Sequence, residues 1–133
     1  MALNLFKKFT TDEAAEVNGV EVPYGTATLL IARIGNAKYA KKITTLVERN
    51  KMLLDAKDDA ADELSQALVI EALAETVLVG WSGLTDENDL PMDYSVANAK
   101  RLLAMKDFRK EIMKMADDME AYKVKAEAAA GKP

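Results

Sequence analysis

Residues 64–81 read LSQALVIEALAETVLVGW, and this stretch decides the fold that the sequence predicts. Apolar side chains occupy most of its positions, and Glu71, Glu75 and Thr76 leave only a narrow polar stripe. A helix with so little polar surface is covered by its neighbours on most sides. We therefore expect a central buried helix, or part of a subunit interface, that ends at the glycines flanking Trp81.

An amphipathic helix is expected before this stretch, with Asn36 as its N-cap and apolar residues at helical spacing from Tyr39 to Leu54. Residues 33–54 carry six basic side chains against one acid, whereas residues 55–75 carry seven acids against one lysine. Such opposed blocks attract each other, either within a fold or across a subunit boundary. The candidate charged interface residues are Lys38, Lys41, Lys42, Arg49, Glu71 and Glu75.

The N-terminal part of the chain favours β-structure. Asn18-Gly19 stands between two valines, a pair typical of a two-residue hairpin turn, and residues 28–34 are rich in β-forming side chains. We expect an antiparallel hairpin at about residues 15–34, or a three-stranded meander, with helices against one face. The residues before it, including Phe6 and Phe9, are expected to form an arm.

Two more helices are expected near the C-terminus, one from Val96 to Met105 capped by Ser95, and one from near Phe108 capped by Asp107. The second has a seam spaced by four, three, four and three residues, which is too short for a coiled coil. The predicted fold is a mainly helical α+β domain over residues 1–123. Its helical body of about four helices spans about residues 36–122, and residues 124–133 form a flexible tail.

The C-terminal seam and the tryptophan are candidates for partner binding. Methionine packs irregular cores and also suits surfaces that adapt to a partner, so both roles are open for Met105, Met113, Met115 and Met119. Trp81 could anchor the following loop or a partner. The partner-binding candidates are Trp81, Leu84, Phe108, Ile112, Met115, Met119 and Tyr122.

Composition argues against several classes of function. The chain contains neither cysteine nor histidine, which removes disulfides, thiol nucleophiles, imidazole bases and the usual zinc sites. The net charge of −4 argues against general nucleic acid binding, although the basic face between Lys38 and Lys51 could contact a protein. The chain has no window of about 18 apolar residues, which is the length needed to span a bilayer. We expect a cytosolic, non-enzymatic protein without metal or cofactor.

Two weak chemical patterns remain. Asp86 and Asn88 resemble the start of a calcium loop, but Leu90 and Pro91 occupy the positions where an EF-hand needs an oxygen ligand and glycine. Glu71 and Glu75 lie one helical turn apart and could support acid and base catalysis only beside a third polar group in a pocket. A solvated stripe, or a pair facing lysines, is the simpler interpretation.

The order of short motifs along the chain is more specific than any one of them. They are Leu3-Asn4-Leu5-Phe6-Lys7-Lys8-Phe9, Gly19-Val20-Glu21-Val22, Ile31-Ala32-Arg33-Ile34-Gly35-Asn36, Glu71-Ala72-Leu73-Ala74-Glu75-Thr76-Val77-Leu78, Trp81-Ser82-Gly83-Leu84-Thr85-Asp86-Glu87, Tyr94-Ser95 and Asp107-Phe108-Arg109. This series resembles the tail assembly chaperones of long-tailed phages, from about Leu3 to Tyr122. None of its elements is a catalytic signature.

The resemblance implies a homo-oligomeric protein of the host cytoplasm that binds the tape measure protein and the major tail protein, and is absent from the mature virion. It also implies a longer product made by ribosomal frameshifting, for which Gly131-Lys132 marks the expected position. The alternative is a structural head-to-tail connector or minor tail component. Mass spectrometry of purified particles separates the two, because a connector stays in the particle.

Overall fold

The computed structural model describes residues 2–124, so Gly131-Lys132 and all of the predicted tail except Val124 lie outside the described residues. The elements, in chain order, are α1 (Leu5–Phe9), α2 (Glu13–Asn18), β1 (Val20–Tyr24), β2 (Ala27–Ile31), α3 (Ala37–Arg49), α4 (Lys51–Asp55), α5 (Asp59–Thr76), β3 (Leu78–Ser82), α6 (Val96–Leu103), α7 (Lys106–Ala116) and a 3-10 helix (Met119–Tyr122). The predicted fold class is confirmed: a mainly helical α+β protein with a three-stranded antiparallel sheet.

The third strand of the sheet comes from a segment that we predicted to be helical. β2 pairs with β1 on one side and with β3 on the other, and Leu29 lies opposite Trp81 in the second pair. The central helix therefore ends at Thr76 rather than near Trp81. The short apolar run at residues 77–81 suits the end of a buried helix and a buried strand equally. It forms a strand because it pairs with the edge of β2 that β1 leaves unpaired.

The hairpin turn lies at a different glycine from the one predicted. Asn18 is the last residue of α2, and Gly19 follows it with a φ of 96°, in the region that favours glycine at a helix end. The hairpin instead turns at Gly25, which has a φ of 62°, so that Tyr24 pairs with Ala27. α2 forms because the Asp12 carboxylate accepts hydrogen bonds from the amides of Ala14 and Ala15.

Two of the predicted N-caps, Asn36 and Ser95, are confirmed, and Asp58 caps α5. Asn36 Oδ1 accepts from two amides of α3, Asp58 Oδ1 accepts from Ala61, and Ser95 Oγ accepts from Asn98. Asp107 is not a cap, because α7 already begins at Lys106. Its carboxylate lies in the first turn, where the helix dipole favours negative charge.

The core lies between the sheet and helices α5, α6 and α7. Its completely buried side chains include Leu29, Ile31, Leu73, Val77, Leu78, Leu103 and Ile112. Tyr122 closes this core beside β2, where its buried hydroxyl donates to the Ile31 carbonyl oxygen at 2.9 Å. A smaller cluster of Leu46, Leu68 and Ala72 joins α3 to α5. Within residues 2–124, no helix combines the length and apolar character needed to cross a bilayer.

Candidate partner-binding surfaces

Trp81 attaches the long loop of residues 83–94 to the body of the protein. Its indole Nε1 donates to the Met92 carbonyl oxygen at 2.7 Å, and its ring meets Tyr94 edge to face with centroids 5.0 Å apart. The Tyr94 hydroxyl in turn donates to the carbonyl oxygen of Ala74 in α5 at 3.0 Å. Of the two roles open for Trp81, the structure places it in loop anchoring. Leu84 is also half-buried and packs on the core.

The loop is folded back on itself and tied to α6. Asp86 Oδ1 accepts from the amides of Asn88 and Leu90, so this carboxylate oxygen stabilises the turn. Arg101 of α6 contacts both carboxylate oxygens of Glu87, at 2.9 and 2.7 Å. The hydrogen bond from Arg101 lowers the pKa of Glu87. These contacts hold an exposed loop in one position relative to α6.

A groove lies between this loop and the end of α6. Its volume is about 640 Å³, and its lining residues are Thr85, Asp86, Glu87, Met92, Arg101, Leu102, Ala104 and Met105. We call it the loop groove. Met105 is half exposed beside it, and Leu102 is half-buried. Methionine and leucine form an adaptable apolar floor, while Arg101 and Glu87 supply a polar rim, which is the composition of a protein-binding site.

Most of the predicted C-terminal seam faces inward. Ile112 and Tyr122 are completely buried, so they are core residues in this structure and offer no surface to a partner. Phe108 packs edge to face on Tyr24 with centroids 5.9 Å apart, and Met115 is partly buried against the same core. Met119 is half-buried in the 3-10 helix. The seam faces inward because α7 packs against the sheet.

The opposed charge blocks meet within the fold. Lys42 of α3 lies between two carboxylates of α5, with Nζ 3.0 Å from Glu75 and 3.6 Å from Glu71. Lys100 of α6 approaches Glu71 from the other side at 3.7 Å. The hydrogen bond with Glu75 is the main cause that raises the pKa of Lys42. Three other basic candidates remain exposed: Lys38, Lys41 and Arg49.

Two exposed apolar surfaces were not among the predicted partner-binding residues. The first is the arm, residues 3–9, where Phe6 is 87% exposed and Leu3, Leu5 and Phe9 are each more than half exposed. The second is the tip, residues 47–53, where Met52 is 90% exposed and Val47 and Leu53 are also exposed. Periodicity assigns Leu53 to the inner face of a helix, and only the break at Asn50 between α3 and α4 turns it outward.

No group of three or more acidic, histidine or cysteine side chains within residues 2–124 is placed to hold a metal ion. No match was found among curated proteins or solved structures. The sequence model of the YdaY prophage protein family matches residues 34–132, about three quarters of the 133 residues. The match includes α3 to α7 and the loop groove, and it begins after the arm and the hairpin. The chain therefore belongs to the YdaY prophage protein family and is of phage origin.

Proposed function

We propose that this protein is a phage tail assembly chaperone of the host cytoplasm. It binds apolar segments of the tape measure protein and helps tail tube subunits to assemble on them. It acts without catalysis and leaves before the particle is complete. The observation that carries the proposal is the loop groove, an apolar site with a charged rim in the part of the chain that matches the prophage family.

The groove suits a chaperone because its floor is adaptable and its walls are fixed. Met105 is half exposed and has a flexible side chain that can fit different apolar partners, while Met92, which also lines the groove, is buried. The walls are held by the Trp81 hydrogen bond and the paired contacts between Arg101 and Glu87, so little conformational entropy is lost on binding. A site of this kind favours many weak, reversible contacts along a long client chain.

The ion pairs on α5 support a non-catalytic role. Glu71 and Glu75 were the carboxylates that could have served as an acid and a base. Both instead contact lysines, which neutralise them and join α3 and α6 to α5. Neither lines the loop groove. The proposal therefore includes no cofactor and no reaction.

Co-expression with the tape measure protein of the same prophage tests the proposal. We expect the tape measure protein to be soluble with the wild-type chain and largely insoluble with Met105→Glu, which places a charge in the loop groove. Met113→Glu is the matched control, because Met113 is an exposed methionine of α7 outside the groove. A tape measure protein that stays insoluble with the wild-type chain contradicts the proposal, and equal loss with both variants removes the groove from it.

Mass spectrometry of purified particles tests the second half of the proposal. A chaperone is absent from mature particles, whereas a connector or minor tail protein is present in a fixed number of copies. Detection of stoichiometric amounts would replace the chaperone role with the structural one.

A further inference from the structure

The arm has an apolar face that residues 2–124, the part of the chain that the structure describes, leave uncovered. Leu5, Phe6 and Phe9 are spaced one and three residues apart on α1, which places them on one side of the helix. All three are more than half exposed, and α1 contains no buried residue. A five-residue helix is marginal in water without packing. Lys7 and Lys8 give the same segment a local charge of +2.

The tip has the complementary character. Met52 and Leu53 of α4 are exposed, and Val47 lies on the preceding turn. Residues 47–63 hold six acids against the three bases Arg49, Lys51 and Lys57, a local charge of −3, and five of the acids follow Leu54. All five acids are exposed: Asp55, Asp58, Asp59, Asp62 and Glu63. The tip therefore offers apolar surface that is followed along the chain by negative charge, and the arm offers apolar surface beside positive charge.

The arm and the tip are connected to opposite ends of α3. The arm leads into α2, whose Glu16 is paired at 2.7 Å with Arg33, just before the start of α3. The tip begins in the last turn of α3, which has 13 residues and therefore a length of about 20 Å. Because the two surfaces are separated in this way, the geometry favours contact between copies over contact within one copy.

We propose that the arm of one copy docks on the tip of a second copy. Phe6 and Phe9 cover Met52 and Leu53, and Lys7 and Lys8 face the acidic residues around the tip. A contact between two different surfaces is heterologous, so it can repeat from copy to copy and form a ring or a filament. The inference concerns how copies meet one another and does not depend on the role in tail assembly.

Sedimentation velocity over a concentration series tests the contact with the full chain. We expect Phe6→Ser and Met52→Ser each to weaken self-association by at least about tenfold, because each removes a large apolar side chain from the interface. Leu90→Ser is the matched control, since Leu90 is also exposed but lies outside both surfaces. Circular dichroism of each variant confirms that it is folded.

Mixing two defective chains gives the sharper result. Phe6→Asp retains an intact tip and Met52→Asp retains an intact arm, so the mixture has one working pair of surfaces. We expect each variant alone to be monomeric and the mixture to form a dimer that grows no further. A mixture that stays monomeric, or a wild-type chain that stays monomeric up to its solubility limit, overturns the proposal.

Charge reversal tests the ionic part of the contact separately. The double change Lys7→Glu and Lys8→Glu should weaken association, and adding Asp55→Lys should restore part of it. Lys38→Glu is the control, because Lys38 is an exposed base outside both surfaces. Met105→Glu should leave self-association unchanged, so a failure of the loop groove as a client site is distinguishable from a failure of arm docking.

Discussion

Apolar side chains of similar size have opposite surroundings in two regions of this molecule. Leu73 and Ile112, between the sheet and the helices, have no exposed surface, whereas Phe6 of the arm and Met52 of the tip are almost fully exposed. Burial of a large apolar side chain contributes about 1.5 to 3 kcal/mol, so the first group stabilises the fold and the second contributes little to it. The second group is free to contribute the same energy to binding.

The largest expected effect is the loss of stability when a completely buried leucine is truncated. Leu73→Ala should lower the free energy of unfolding by about 2 to 5 kcal/mol, because it opens a cavity among completely buried neighbours. Met52→Ala should change it by about 0.5 kcal/mol or less, because Met52 is exposed. Urea denaturation of both variants measures the difference. Similar losses would show that the tip contributes to the fold of the isolated chain.

The buried hydroxyl of Tyr122 makes part of the stability of the core depend on pH. Burial raises the pKa of Tyr122 from 10.0 to about 12, so the folded state holds its proton more tightly than the unfolded state. The contribution of the protonated Tyr122 hydroxyl to the free energy of unfolding is therefore complete below about pH 10 and is lost between about pH 10 and pH 12. A shift of this size corresponds to about 2 to 3 kcal/mol.

Tyr122→Phe should lower stability at neutral pH by about 1 to 2 kcal/mol, because the Ile31 carbonyl loses a buried donor. From pH 10 to pH 12 the variant should lose less stability than the wild-type chain. Tyr24→Phe is the comparison: the hydrogen bond to Glu111 near the surface also raises the pKa of Tyr24, but by less than burial raises that of Tyr122, so its effect between pH 10 and pH 12 should be smaller. Parallel stability curves for Tyr122→Phe and wild type would contradict the assigned pKa shift.

The smallest expected effect concerns the ion pairs between α3 and α5. Glu75→Gln removes the carboxylate nearest to Lys42, and the melting temperature should fall by less than it does in Tyr122→Phe. The raised pKa of Lys42 means that the pair stabilises the fold below the ordinary lysine value of 10.5, and that this is lost as the pH rises above it. Glu48→Gln, an exposed acid of α3, is the control. An equal fall in melting temperature for Glu75→Gln and Glu48→Gln, with no dependence on salt concentration, would contradict the pairing of Glu75 with Lys42.

Local chemistry predicted much of the fold. The N-caps Asn36, Asp58 and Ser95 are short-range features, because each side chain bonds to amides two or three residues later. The central helix was also predictable, since its apolar pattern extends over many residues. The loop groove was only partly predictable: of its lining residues the sequence singled out Met105, with core packing and partner contact both open for it, but Arg101 and Met92 come together with it only in the fold.

A small, mainly helical protein with opposed charge blocks and no cysteine or histidine chemistry can be predicted from the chain alone, because these properties depend on composition and short-range periodicity. Long-range packing was needed to place residues 78–82 in a strand, to bury Ile112 and Tyr122, and to leave Phe6 and Met52 exposed. An apolar pattern states that a side chain benefits from leaving water, but the partner that covers it is set by long-range packing. For the arm and the tip, no segment within residues 2–124 supplies that partner.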